Sequence, residues 1–230
     1  MKKINFFLSI KFILAFCSIV YELVLAQALS AFLENTVLRY SITIGLYLFC
    51  IGIGALLAER KLFKDSIKTL LWVEVLLTFF GGFSLAWFFL MDALSFSRIL
   101  FLLGSHFLII TIGILTGFEV PLLIERVSRE RRNFEGIVLA FDYTGAFAGS
   151  VMFAFVFYPK IGLVPTALFA GMLNAVCGVI LFLERARSQK VTLRSSFACF
   201  GLQSFLLAVI VFCLMHTAEI NTYLIRLYLS

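Results

Sequence analysis

The fold of this chain is decided by residues 99–124, which read ILFLLGSHFLIITIGILTGFEVPLLI. The stretch is longer than the roughly 20 apolar residues that cross a hydrocarbon core of about 30 Å as an α-helix. Its one formally charged residue is Glu119, and it contains neither Lys nor Arg. It therefore predicts a membrane-spanning helix that carries an acid at membrane depth.

Comparable apolar stretches recur along the whole chain. The sequence of 230 residues is 62% hydrophobic and contains 28 Phe, whereas 14% of its residues are charged. This composition leaves too little polar surface to coat a water-soluble globule, and the apolar runs are continuous rather than alternating, which argues against a transmembrane barrel. We predict an all-α, polytopic bundle that forms one domain over residues 1–230, with seven spans near 12–33, 40–58, 69–90, 99–124, 137–158, 163–183 and 197–216.

The Lys and Arg residues predict the orientation of this bundle, because such residues gather in cytoplasmic connections. The N-terminal segment and alternate connections carry most of them. We therefore place the N-terminus in the cytoplasm and the C-terminus outside, in the plasma (inner) membrane. We read the net charge of +6 as a topology signal and expect no nucleic-acid partner. The cytoplasmic set is Lys2, Lys3, Lys11, Arg60, Lys61, Lys64, Lys68, Arg126, Arg129, Arg131, Arg132, Arg185, Arg187, Lys190 and Arg194, and the outer set is Arg39, Arg98, Lys160 and Arg226.

Four carboxylates lie inside predicted spans with no Lys or Arg at comparable depth: Glu22, Glu74, Glu119 and Asp142. An ionisable side chain in a bilayer costs several kcal/mol unless it is protonated, paired or hydrated, so such acids mark ion, proton or substrate pathways. At about 1.5 Å per residue, three of them lie roughly 7–10 Å from the cytoplasmic end of their spans, and Glu22 lies roughly 15 Å deep. We predict a cation-binding cluster that opens inward. The alternative is that some of the acids, Glu74 above all, are hydrated at the membrane interface.

Polar residues near these acids have two interpretations each. His106 in the fourth span is either a hydrogen-bonded packing residue or part of a proton relay. Tyr21 and Tyr143, each adjacent to an acid in sequence, either donate a hydrogen bond to it or fill space. Asn174 supplies a neutral hydrogen-bonding group to the same region.

Small residues predict which helix faces meet. Glycines at helical spacing favour close approach of neighbouring backbones. Pro121, two residues after Glu119, removes a backbone donor and predicts a kink or local opening of the fourth helix. The glycines that we expect to pack helices are Gly45 and Gly52 in the second span, Gly113 and Gly117 in the fourth, and Gly145 and Gly149 in the fifth.

The sequence offers no candidate catalytic residue. It contains no G-x-G-x-x-G, no phosphate-binding loop, no H-E-x-x-H and no G-x-S-x-G motif. Its five cysteines fall within predicted spans without paired spacing, which favours packing roles over metal binding or disulfides. We expect no metal and no cofactor.

Five blocks of sequence surround the four acids and together span about residues 20 to 183. They are Tyr21-Glu22-Leu23, Ser41 to Gly45 running on to Ile51 to Gly54, Val73-Glu74, Gly117 to Leu123, and Leu139 to Ser150. The blocks resemble the membrane domain that precedes the catalytic domain in membrane-bound spermidine synthase-like proteins (polyamine aminopropyltransferases). In that family a Rossmann-like domain that binds decarboxylated S-adenosylmethionine follows the membrane helices. Here a seventh helix follows instead, so the resemblance carries over no catalytic residue, and we do not expect aminopropyl transfer by this polypeptide alone.

Two functions compete on these grounds. The first is binding or transport of a cation, such as a polyamine, at the intramembrane carboxylates. The second is a non-catalytic membrane anchor or scaffold for a separate soluble enzyme, such as an aminopropyltransferase. A membrane-embedded enzyme is a third reading, disfavoured because no nucleophile or cofactor loop is visible. The lipid bilayer is a partner in every case. We also expect a homodimer, because seven helices are few for a complete carrier and their odd number precludes a simple equal repeat.

Overall fold

The computed structural model describes residues 2–59, 65–94, 97–128, 134–188, 194–217 and 219, and within them it shows helices and no strand. The predicted all-α class is therefore confirmed for this part of the chain. A π-helical segment, Phe153–Ile161, continues α6. The α-helices are α1 (Lys2–Leu33), α2 (Thr36–Glu59), α3 (Ser66–Gly82), α4 (Ser84–Ala93), α5 (Arg98–Ser128), α6 (Glu135–Met152), α7 (Leu163–Ser188) and α8 (Arg194–Met215).

Six helices within the described residues are long and apolar enough to cross a membrane, and there are seven if one bent pair forms a single span. That pair is α3 and α4, which bend by 46° at Phe83. The predicted span 69–90 is therefore two helices rather than one. Phe83, with φ −98° and ψ 15°, follows Gly81 and Gly82 directly, and residues without a side chain favour a break at this point.

The orientation of the termini stays a prediction. It depends on basic residues in the connections between helices, and many of these lie outside the described residues. They are Arg60, Lys61, Lys64, Arg129, Arg131, Arg132, Lys190 and Arg226.

Helix α1 is the central element of the bundle. It packs against α2, α5, α6 and α7, and buries side chains such as Leu14 and Val24 completely. A helix that is apolar on all sides is one that other helices can surround. One face of α1 is nevertheless polar, because it carries Lys11, Ser18 and Glu22. Ser18 and Glu22 are seven and eleven positions after Lys11, and residues at these spacings project from a helix in nearly the same direction.

Glycines bring α2 and α5 into backbone contact. A Cβ atom added at Gly117 would lie 2.9 Å from the Cα atom of Gly54, and one added at Gly113 would lie 2.8 Å from Cys50 Cβ. Real Cβ atoms do not approach this closely, so larger residues would force the helices apart. Close packing through small residues is how membrane helices gain contact without a hydrophobic driving force between them.

The second contact of this kind joins α6 to α1. A Cβ atom at Gly145 would meet the carbonyl of Phe12, and one at Gly149 would lie 2.8 Å from the carbonyl oxygen of Phe16. The two glycines are one turn apart, so they lie on one face of α6. This face presses α6 directly onto the backbone of α1.

Gly45 and Gly52 do not have the packing role that we expected for them. Both are exposed within the described bundle, and a Cβ atom added at either would meet no atom within 4 Å. The contact face of α2 instead carries Tyr47, Cys50 and Gly54, at three- and four-residue steps. Gly54 lies on this face because it is two residues, and thus about half a turn, beyond Gly52.

Pro121 lies inside α5, which continues as one helix from Arg98 to Ser128. Proline has no N–H group, so the carbonyl oxygen of Gly117, four residues earlier, lacks its usual helical donor. The helix is nevertheless uninterrupted beside Glu119. The local opening that the sequence suggested there is not present.

Candidate functional site: an intramembrane ion-pair cluster

Lys11 is the basic partner of the acids that the sequence places inside predicted spans. Its Nζ atom lies 2.7 Å from Asp142 Oδ1 and 3.1 Å from Glu119 Oε2. The expectation that no Lys or Arg lies at comparable depth is therefore wrong. The predicted first span began after Lys11, whereas α1 begins at Lys2 and carries Lys11 two turns and more into the helix. We call Lys11, Glu119 and Asp142 the Lys11 cluster.

Three different helices contribute to this cluster. Lys11 comes from α1, Glu119 from α5 and Asp142 from α6. Gly145 lies one turn beyond Asp142 on α6, and its contact with α1 brings the carboxylate close to the lysine. The side chains of Lys11 and Glu119 are 2% and 1% exposed, whereas that of Asp142 is 23% exposed. Asp142 is thus the member of the cluster that is accessible from outside the bundle.

Glu74 lies next to this cluster without contacting Lys11. Its Oε2 atom accepts a hydrogen bond of 2.7 Å from Asn174 Nδ2, and both side chains are completely buried. Glu74 interacts electrostatically with both Glu119 and Lys11. Among the described residues, two carboxylates therefore contact one ammonium group and Glu74 adds a third nearby, so these groups together have an excess of negative charge when all are ionised.

Glu22 is buried separately, further along α1. It has no ion pair or hydrogen bond with another described residue, but it interacts electrostatically with Tyr47. The hydroxyl of Tyr47 lies 3.1 Å from Thr116 Oγ1 and donates to the carbonyl oxygen of Ser18 at 3.2 Å. Tyr47 also interacts electrostatically with Glu119, a member of the Lys11 cluster.

The other predicted polar residues have different surroundings. His106 Nδ1 bonds to the carbonyl oxygen of Leu102 at 2.7 Å, within its own helix. Tyr143 is 70% exposed and has no hydrogen bond to an acid among the described residues. The ring of Tyr21 packs over Gly81, and its buried hydroxyl has no hydrogen-bond partner among the described residues. Of these neighbours, Asn174 is the one that contacts an acid.

Sequence reasoning missed three residues that matter here: Lys11, Tyr47 and Thr116. A signal for the first was present, because Lys11, Ser18 and Glu22 follow helical periodicity and so predict one polar face on α1. The hydroxyl pair of Tyr47 and Thr116 comes from α2 and α5, and nothing in the sequence pairs them. Searched across the described ranges, the structure contains no group of three or more His, Cys, Asp or Glu side chains that could hold a metal ion.

This geometry defines the class of the protein: an α-helical protein with membrane-length apolar helices and an internal ion-pair cluster. Sequence comparison adds that the chain is homologous to one region of the polyamine aminopropyltransferases, as the sequence blocks predicted. It is 39% identical over 173 residues to such a protein from Leptospira interrogans, which is 74% of this chain and 33% of that relative. It is 35% identical over 171 residues to polyamine aminopropyltransferase 2 of Ralstonia nicotianae, covering 73% and 33% of the two chains.

A relative from Oceanobacillus iheyensis is 35% identical over 178 residues, which is 75% of this chain and 34% of that protein. The chain thus spans about a third of the length of the curated relatives that it matches. Neither a protein-family model nor a solved structure matches it.

Proposed function

We propose that this chain is a seven-span integral protein of the plasma membrane, with a cytoplasmic N-terminus, that binds a polyamine or a similar amine cation at the Lys11 cluster. One observation carries the proposal. Carboxylates from α5 and α6 converge on a primary ammonium group inside the bundle, at 3.1 and 2.7 Å. These carboxylates already hold the functional group that a polyamine would offer.

The chemistry of the lysine side chain supports this interpretation. Lys11 ends in a 4-aminobutyl group, which putrescine and spermidine also contain. An incoming amine can therefore exchange with Lys11 at Asp142, the accessible edge, without changing the kind of contact that the carboxylates make. In this proposal Lys11 is an internal counter-ion that stabilises the site between binding events.

The excess of acid explains why the ligand would be a polycation. Glu74 adds a third carboxylate beside the cluster, and Glu22 adds a fourth further along α1. Eleven helical residues separate Lys11 from Glu22, which is about 16 Å along the axis. An extended molecule with several ammonium groups could reach both positions, whereas a small cation could occupy one of them. The name of the relatives, polyamine aminopropyltransferase, points to the same class of ligand.

Binding and uptake in reconstituted protein test this proposal. Radiolabelled putrescine and spermidine would be measured on proteoliposomes containing wild type, Asp142→Asn or Glu22→Gln, with Asp92→Asn as a control carboxylate exposed at the end of α4. We expect saturable binding in wild type and the control, and at least tenfold weaker binding in Asp142→Asn. Equal binding and flux in all four proteins would contradict a polyamine site.

A scaffold for a separate soluble enzyme is the second candidate function. It is favoured by the observation that the relatives are about three times as long as the matched region, so in them this region accompanies further sequence. The basic residues Arg129, Arg131 and Arg132 lie outside the described residues and are the candidate contact. If they hold an aminopropyltransferase-like partner, their neutralisation releases that partner in a pull-down, while Glu22→Gln does not. Light scattering of the purified protein tests the expected homodimer.

A further inference from the structure

Four buried polar side chains meet where α3, α7 and α8 pack together. Asn174 Nδ2 donates to Glu74 Oε2 at 2.7 Å, and Gln203 Nε2 donates to Thr78 Oγ1 at 3.0 Å. Glu74, Thr78 and Asn174 are completely buried, and Gln203 is 2% exposed. We call these four residues the polar quartet. It uses α3, α7 and α8, whereas the Lys11 cluster uses α1, α5 and α6.

The two hydrogen-bonded pairs belong to one interhelical space. Glu74 and Thr78 are one turn apart on the same face of α3, and Asn174 and Gly178 are one turn apart on α7. The amide of Gln203 fills the space that a side chain at Gly178 would take, since a Cβ atom there would lie 2.7 Å from Gln203 Nε2. The Gln203 amide therefore contacts Thr78 on α3 and Gly178 on α7. Each of these residues is one turn from a member of the Glu74–Asn174 pair.

The hydrogen bonds within the quartet leave some of its oxygen atoms without a donor. Each amide uses its N–H group on a partner in the quartet, and each leaves its carbonyl oxygen without a donor. Within the quartet, three buried oxygens have no hydrogen-bond partner among the described residues: Glu74 Oε1, Asn174 Oδ1 and Gln203 Oε1. Buried acceptors of this kind are costly to leave unsatisfied. Three such acceptors on neighbouring side chains favour an electropositive ligand at the quartet.

The kind of oxygen atoms identifies that ligand. Carboxylate, amide carbonyl and hydroxyl oxygens are the donors that hard cations take, and no sulfur or imidazole belongs to the set. The quartet carries one formal negative charge, which suits a monovalent ion better than Ca²⁺ or Mg²⁺, since those are usually held by several carboxylates. An alkylated amine would also need space for its carbon chain. At Gly82 and Gly171, α3 and α7 are in backbone contact, with a Cβ atom at Gly171 only 2.7 Å from Gly82 Cα.

We propose that the polar quartet is a binding site for a monovalent alkali cation of the size of Na⁺. Glu74, Thr78, Asn174 and Gln203 each supply an oxygen ligand. Gly178 is a positioning residue, because its missing side chain lets the Gln203 amide lie between α7 and α3. The site shares Glu74 with the surroundings of the Lys11 cluster, but its other three ligands belong to the quartet alone, so it stands whether or not the chain binds a polyamine.

Thermal melting of the full purified chain in amine-free buffer tests this proposal. Wild type would be compared in NaCl, KCl and choline chloride at the same ionic strength. We expect a saturable rise of the melting temperature with Na⁺ and no such rise with choline, because a ligand that binds the folded state stabilises it. Equal melting temperatures in NaCl and choline chloride overturn the site.

Two near-isosteric variants locate the effect. Thr78→Val and Gln203→Met each remove one oxygen ligand, and we expect at least a tenfold higher half-saturating Na⁺ concentration in each. Asp142→Asn keeps the Na⁺ response and loses amine binding, whereas Thr78→Val does the reverse, so the two proposals fail independently. A Na⁺ response that is unchanged in both quartet variants overturns the assignment. Equilibrium binding of ²²Na⁺ to wild type needs no variant, and absence of saturable binding overturns it as well.

Discussion

The ammonium nitrogen of Lys11 in α1 lies 2.7 Å from Oδ1 of Asp142 in α6. With the 3.1 Å contact to Glu119, this ion pair joins three helices at a single buried point. Removing one partner of a buried ion pair leaves an uncompensated charge, which is strongly destabilising. The cluster can therefore be examined by supplying the missing charge from solution.

Replacing Lys11 with Ala is expected to destabilise the bundle by about 3–5 kcal/mol, because Glu119 and Asp142 lose their ammonium partner. Putrescine or butylamine added at millimolar concentration is expected to restore most of this stability by filling the vacated position. The measurement is the midpoint of unfolding in mixed micelles, with choline chloride as the ionic-strength control. The triple variant Lys11→Ala, Glu119→Gln, Asp142→Asn has no negative charge left at the cluster. If amines stabilise it as much as Lys11→Ala, the site does not bind them through its carboxylates.

Two buried tyrosines provide a matched comparison. Tyr47→Phe removes a hydroxyl that bonds to Ser18 and Thr116, and we expect a loss of about 1–2 kcal/mol. Tyr21→Phe removes a hydroxyl with no partner in the described structure, so its effect is expected to be neutral or slightly stabilising. Both proteins would be unfolded under identical conditions. The reverse order of stability would contradict the hydroxyl network around Tyr47.

A glycine pair tests helix packing in the same way. Gly117→Ala adds a Cβ atom 2.9 Å from Gly54 Cα, so we expect a loss of about 1–3 kcal/mol as α2 and α5 move apart. Gly45→Ala adds a Cβ atom that meets no atom within 4 Å, and helix propensity alone predicts a gain of up to about 1 kcal/mol. Unfolding midpoints of the two variants against wild type decide the matter. Similar losses of stability in both variants would show that the close contact of Gly117 with α2 does not determine the effect of the substitution.

The ion pair between Asp65 and Arg185 predicts a dependence on pH. Asp65, which caps α3, accepts hydrogen bonds of 2.8 and 2.6 Å from Arg185 and one of 3.1 Å from the N–H of Lys68. The Arg185 bonds hold the pKa of Asp65 below its ordinary value of 3.8, against the effect of burial. Because the pKa is lower in the folded state, the stabilisation is complete well above 3.8 and disappears as the pH falls through the lowered value.

The matched variant for this prediction is Asp65→Asn, which keeps a capping oxygen but loses the charge. Its stability relative to wild type would be measured across the acid range. We expect wild type to be more stable at neutral pH and the difference to shrink as the pH drops below the ordinary Asp value. The effect is modest, because the Asp65 side chain is 43% exposed and solvent screens the pair. A difference that does not change with pH would contradict the ion pair.

The sequence predicted helices where the apolar runs are long, and it singled out both Glu74 and Asn174, which the structure joins at 2.7 Å. It placed Lys11 outside the first span because hydropathy windows end at a charge. A lysine can be buried when acids from distant parts of the chain meet it, and Glu119 and Asp142 reach it only through the packing of α5 and α6 on α1.

The remaining misses have the same origin. The bend at Phe83 divides an apolar run that has no proline, and hydropathy does not distinguish a straight helix from a bent one. Gly45 and Gly52 share a face with each other, but which face of α2 meets α5 depends on Tyr47, Cys50 and Gly54. Periodicity identifies faces, whereas the identity of the neighbouring helix is decided by contacts between distant residues.

Helix α6 packs chiefly on α1, and its far side carries large exposed apolar residues such as Phe147. Asp142 is therefore held by a peripheral helix, and a single helix separates the Lys11 cluster from whatever surrounds the bundle. In a bilayer, that surrounding is acyl chain. A small separation of α6 from α1 would expose the ion pair on the side of the bundle, facing those acyl chains, and not at one of its ends.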